Sequence, residues 1–178
     1  MKSYLSHKAV LTAAVLLGEL TRLSAYATEF EPLGKAVAAA LGTKQAFKKS
    51  FAFEGKPLDV FYAKGDGRSP ASATSTATKY AFVQKGIYEP NCTHTWVVGI
   101  DAVSLKVTEV RTVEMACPHA YPTKSETFVG QFKGKGIADA DKLKKEIAPI
   151  AKATGSSDLM VEAVRRSLVA ASKLKGKI

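Results

Sequence analysis

Soft donor atoms are scarce in this chain of 178 residues, which carries two cysteines, three histidines, three methionines and one tryptophan. Two cysteines, with no Cys-x-x-Cys-His run, exclude a c-type haem attachment and a densely cross-linked small scaffold. No internal repeat is present. No serine sits in a nucleophile-elbow motif with a readable histidine and acid, so independent hydrolytic catalysis is not expected. Acidic side chains are the minority, with 16 Asp and Glu against 26 Lys and Arg and a formal net charge of +10. Such a field attracts anions, acidic proteins or anionic headgroups. The basic residues are scattered and do not form an aromatic-interleaved stripe, which argues against nucleic acid as a partner. Lys142, Lys144 and Lys145, like Lys173, Lys175 and Lys177, read as solvated faces and a frayed end.

What is present begins with a leader. Lys2 and Lys8 precede an apolar run from Ala9 to Leu17, and Ala25-Tyr26-Ala27 supplies a small-residue exit. This is the pattern of a signal peptide over residues 1–27, cleaved before Thr28. The run is too short for a permanent transmembrane helix, and Glu19 and Arg22 interrupt its continuation, so an uncleaved anchor is the lesser alternative. Export places residues 28–178 in the periplasm or outside the cell, as one domain of a size that can bury a core.

With the leader removed, His7 leaves, and the two remaining histidines each sit two positions after a cysteine, in Cys92-Thr93-His94 and Cys117-Pro118-His119. Concentrating every thiol and imidazole in two matching tripeptides points to one shared site. Two readings stand side by side. Cys92 and Cys117 form a disulfide, which could staple a cofactor-free interaction module, or Cys92, His94, Cys117 and His119 hold a metal. Zinc is favoured if the four close a tetrahedron and copper if Met115 joins.

Periodicity places these tripeptides. Leu33, Val37, Ala40 and Leu41 have helical spacing within Phe30 to Lys49, and 51–62 and 80–87 have strand composition. Gly65 to Thr78 reads as a loop. Two further strands, 95–100 and 106–115, are joined through Asp101 to Leu105 as a hairpin, which brings Cys92 opposite about Met115 with Cys117 a step beyond. The tripeptides would meet at the hairpin's open end, with their Cα atoms within disulfide reach. Ala140 to Ala151 reads as a helix, as does Asp158 to Lys173, capped by Ser157 or Asp158. The fold expected is α+β, a single domain with an antiparallel sheet flanked by N- and C-terminal helices that cover one face. Trp96, Tyr88 and Tyr121 read as packing residues.

Several blocks follow one another in an order and spacing that cover most of residues 28–178. They are Val60-Phe61-Tyr62-Ala63-Lys64-Gly65, Tyr80-Ala81-Phe82-Val83, Val97-Val98-Gly99-Ile100-Asp101, Val107 to Glu114, and Phe128 to Lys135. Their succession resembles the FMN-binding domains of periplasmic redox systems, such as the Rnf/Nqr electron-transport subunits and nitrous-oxide reduction regulators. That family carries FMN through a phosphoester on a threonine ahead of the last helix. The resemblance puts Thr154 at that position, in Ala151-Lys152-Ala153-Thr154-Gly155-Ser156-Ser157, with Lys152 as counter-charge and Gly155, Ser156 and Ser157 beside the phosphate. It implies an electron carrier or accessory protein with periplasmic or membrane-bound redox partners. It also sets the two Cys-x-His elements in the loops that would flank the isoalloxazine.

Overall fold

A computed structural model describes residues 27–65, 76–88 and 90–178. The leader and most of the loop expected over Gly65 to Thr78 lie outside the described residues. Among those residues no helix is long and apolar enough to cross a membrane.

Six strands form one antiparallel sheet: β1 (Thr28–Glu29), β2 (Phe47–Phe53), β3 (Lys56–Lys64), β4 (Ala77–Tyr88), β5 (Cys92–Asp101) and β6 (Val107–Met115). Their order is β1-β6-β5-β4-β3-β2, so the hairpins follow one another and only β1 is displaced, to the far side of β6. The stretch 51–62, expected as one strand, is the turn of a hairpin. Glu54 and Gly55 both have positive φ, 51° and 73°, the backbone twist that a two-residue hairpin loop requires.

Two helices matter for packing, α1 (Leu33–Leu41) and the C-terminal helix (Thr154–Leu174), which becomes α4 after the one-turn helices α2 (Glu126–Val129) and α3 (Leu143–Glu146). The expected helix over Ala140 to Ala151 is thus reduced to a single turn. The N-terminal helix stops at Gly42, whose φ of 67° closes it with backbone bonds to Ala38 and Ala39 carbonyls.

The sheet is flanked by these two helices on opposite faces, not on the one face expected. Ala36, Val37, Ala40 and Leu41 of α1 cluster with Ala63, Ala81, Val97 and Val113. On the other face, Met160, Val164, Leu168 and Ala171 of α4 cluster with Val60, Tyr80, Phe82, Trp96, Val98 and Ile100. The reason lies in β5, where Trp96, Val97, Val98 and Ile100 are all fully buried. Side chains alternate along a strand, so a continuous apolar run needs cover on both faces. Gly99 lets α1 come close, since a Cβ there would lie 2.8 Å from Thr108 Oγ1 and 3.3 Å from Ala40 Cβ.

Candidate functional site

The two Cys-x-His elements close the open end of the β5–β6 hairpin. Two irregularities, between Thr95 and Trp96 and between Gly99 and Ile100, each give β6 one more residue than β5. They shift the register so that His94 pairs with Met115, and the Ala116 N–H donates to the Thr93 carbonyl at 2.9 Å. A bulge-free hairpin would have set Cys92 opposite Met115. With the bulges, Cys117 comes to Cys92, at a Cα separation of 5.4 Å and an S–S distance of 2.10 Å. The expected disulfide reach is met.

Cys92 and His94 share a face of β5 and are both buried, at 3 % and 1 % exposure. Cys117 is half-buried, while Pro118 and His119, at the start of a 3₁₀ segment, are exposed. Donor atoms of Cys92, Cys117 and His119 all lie within 4.8 Å of one another. His94 stands just outside that group of three. Its Nε2 is 3.4 Å from Cys92 Sγ and 3.3 Å from Ser156 Oγ. Its ring stacks on Trp96, centroids 5.1 Å apart and planes 11° from parallel. Burial, with the nearby His119 adding to the effect, pushes the His94 pKa down to about 4, so the ring is neutral at ordinary pH. Met115 pairs in register with His94, but its Sδ is met by the Thr123 hydroxyl at 3.9 Å.

Ser156 brings the second set of sequence-predicted residues to the same place. The motif around Thr154 is the first turn of α4, and Ser156 reaches from it to His94. Ser157 Oγ accepts from the Ile150 N–H at 3.1 Å and donates to the Ala153 carbonyl at 2.9 Å. It therefore fastens the turn from within; the N-cap position belongs to Ala153. Thr154 and Lys152 are exposed, Lys152 with a φ of 65°. Gly155 is covered by the Tyr88 ring, and a Cβ there would lie 2.2 Å from Tyr88 Cε2. A phosphate at this turn would find the Thr154 hydroxyl, the open N–H groups of the helix start and Lys152, but not the hydroxyls of Ser156 or Ser157.

Sequence reasoning missed the hydrogen bond between Ser156 and His94 and the seating of Tyr88 on Gly155. Neither contact has a local signature, because the partners are 62 and 67 residues apart in sequence. The stacking of Trp96 on His94 was legible, since residues two apart on a strand share a face. A cavity of about 490 Å³ lies elsewhere, on the outer edge of β6. Its central cation, Arg111, is held by Glu31 and Glu109. Comparison with protein-family models, with curated proteins and with solved structures finds no match to this chain.

Proposed function

We propose that this is an exported redox protein whose Cys92–Cys117 pair alternates between a disulfide and a dithiolate that holds a soft metal ion. The reading rests on one observation, the convergence of both sulfurs and the His119 ring within 4.8 Å, with the His94 imidazole 3.4 Å from Cys92. In the oxidised form the sulfurs bond each other and donate nothing. Reduction by a dithiol adds two electrons and two protons, giving two thiols. Metal binding then displaces those protons, because the ligand is the thiolate. Two thiolates and one or two neutral imidazoles suit Zn(II) or Cu(I). The excess of basic residues, from which the leader removes only Lys2, Lys8 and Arg22 against Glu19, favours acidic redox partners.

The test is an anaerobic titration of reduced protein with Zn(II) and with Cu(I) against a chromophoric chelator. Reduced protein binds one equivalent and oxidised protein binds none. Binding by the wild type no tighter than by a His94→Ala, His119→Ala double variant would overturn the metal state.

A second reading, FMN carried on Thr154, is favoured by the exposed hydroxyl of Thr154 at the start of a 21-residue helix. Covalent attachment would raise the intact mass by one FMN less water, and Thr154→Ala would remove the increment. An unmodified mass from a host that flavinylates such domains would exclude the phosphoester.

A further inference from the structure

Resting on the redox reading above, we propose that thiol–disulfide exchange enters this site only through Cys117, from an exported dithiol protein, and releases Cys92 toward His94. The two sulfurs of the bridge are not equivalent. Cys92 is 3 % exposed, at the start of β5 beside His94, whereas Cys117 is half-buried next to exposed Pro118 and His119. An incoming thiolate must reach the attacked sulfur from the side opposite the sulfur it displaces. Cys117, packed against the core on one side, keeps part of its surface in solvent, whereas Cys92 is almost closed to it.

The leaving side is equipped as well. Exchange is faster when the departing sulfur is a stabilised thiolate. His94 Nε2 lies 3.4 Å from Cys92 Sγ, so a neutral ring with its proton on Nε2 donates directly to the sulfur that is released. Ser156 Oγ, 3.3 Å from the same nitrogen, ties that donor to the first turn of α4. His94 is therefore a positioning and charge-stabilising residue for Cys92.

The exchange balances in two steps. A partner thiolate, R–S⁻, attacks Cys117 Sγ, the Cys92–Cys117 bond breaks, and its electron pair leaves on Cys92 as a thiolate. The partner's second thiol, deprotonated, then attacks the partner sulfur of the mixed disulfide and releases Cys117. The partner dithiol ends as a disulfide and this protein as a dithiol. Two electrons pass inward, and the two protons the partner thiols gave up end on Cys92 and Cys117, or in solution when a metal takes their place.

The experiment follows the adduct. Oxidised wild-type protein is treated with limiting glutathione, quenched with an alkylating reagent partway, and the mixed disulfide is mapped by peptide mass. In parallel, reduced Cys92→Ser and Cys117→Ser variants are titrated with an aromatic disulfide reagent. The expected result is glutathione on Cys117, and reaction of Cys117 at least tenfold faster than that of Cys92. Glutathione on Cys92, or equal rates, would overturn the assignment. The wild-type mapping decides the matter even if a serine variant folds poorly. His94→Leu should slow wild-type reduction severalfold while His94→Gln, which keeps an N–H donor, restores most of the rate. A His94→Leu protein reduced as fast as wild type would remove His94 from the step. Metal binding by reduced protein is measured separately, so exchange through the wrong sulfur and failure to bind metal are distinguishable outcomes.

Discussion

At the scale of single residues, His94 and Gly155 set the site's tolerances. The unfolded chain takes up a proton on His94 near pH 6.5, and the folded protein resists it until about pH 4 because the ring is buried. A histidine whose folded pKa is depressed costs stability as pH falls, so the loss begins below about 6.5, grows toward 4 and is absent above 7. At pH 4.5 the loss is on the order of 2 kcal/mol. Urea unfolding of the oxidised protein between pH 7.5 and 4.5 should show it, and His94→Leu should flatten the curve. A wild-type curve already flat over that window would contradict a buried neutral ring. Asp59, held low by Lys48 and Ser50, contributes only at more acidic pH. Gly155→Ala pushes a methyl group into the Tyr88 ring. Because Tyr88 is 48 % exposed and can swing out, the cost is about 1–2 kcal/mol. Tyr88→Ala should remove most of that cost, a favourable coupling in a double-mutant cycle. Strict additivity of the two changes would mean that the ring does not sit on Gly155.

Among elements, α1 is a nine-residue helix that covers one face of the sheet. Two of its four buried residues, Ala36 and Ala40, are alanines, which bury little area each. Just before it, Glu31 receives two hydrogen bonds from Arg111 of β6, at 2.8 and 2.9 Å, and its side chain is only 13 % exposed. A paired, largely desolvated carboxylate of this kind is worth more than a surface ion pair. Glu31→Ala should therefore cost about 2 kcal/mol, read as a lower urea midpoint with an unchanged slope. A loss below about 0.5 kcal/mol would put this pair in the ordinary surface class. The same scale shows how far the sequence could be read. Strands β4, β5 and β6 and helix α4 were legible because each carries a long apolar or periodic run of its own type. The β2–β3 hairpin was not, because Glu54-Gly55 lacks the Asn or Asp that usually marks such a turn. The two-faced cover of the sheet is written in the unbroken apolar run of β5, which leaves no polar face for solvent. The meeting of the Cys-x-His elements could be anticipated from hairpin symmetry, yet their pairing depends on two bulges that β6 does not announce.

For the whole molecule, the cross-link joins the end of the sheet to the segment that carries the chain toward α4, so the site's redox state should set global stability. The bridge spans a sequence separation of 25 residues, and closing a loop of that length is worth about 3 kcal/mol in the chain-entropy view. Residues 94–115 are already held by β5–β6 pairing, but that pairing is lost on unfolding while the bridge is not. Reduction without metal should therefore lower the melting temperature by about 10 °C for a domain of this size. A metal that binds the folded dithiol alone opposes that loss through mass action. At a free concentration about a thousandfold above its Kd it restores about 4 kcal/mol, enough to offset the lost bridge. Thermal unfolding should thus place the reduced, metal-free protein well below two others of similar stability, the oxidised protein and the reduced protein with Zn(II). Addition of a chelator should drop only the last of these to the lowest curve. If Zn(II) leaves the reduced curve where it was while the oxidised curve stands about 10 °C higher, the pair acts as a structural staple alone, and the histidines beside it serve packing and thiolate release without a metal.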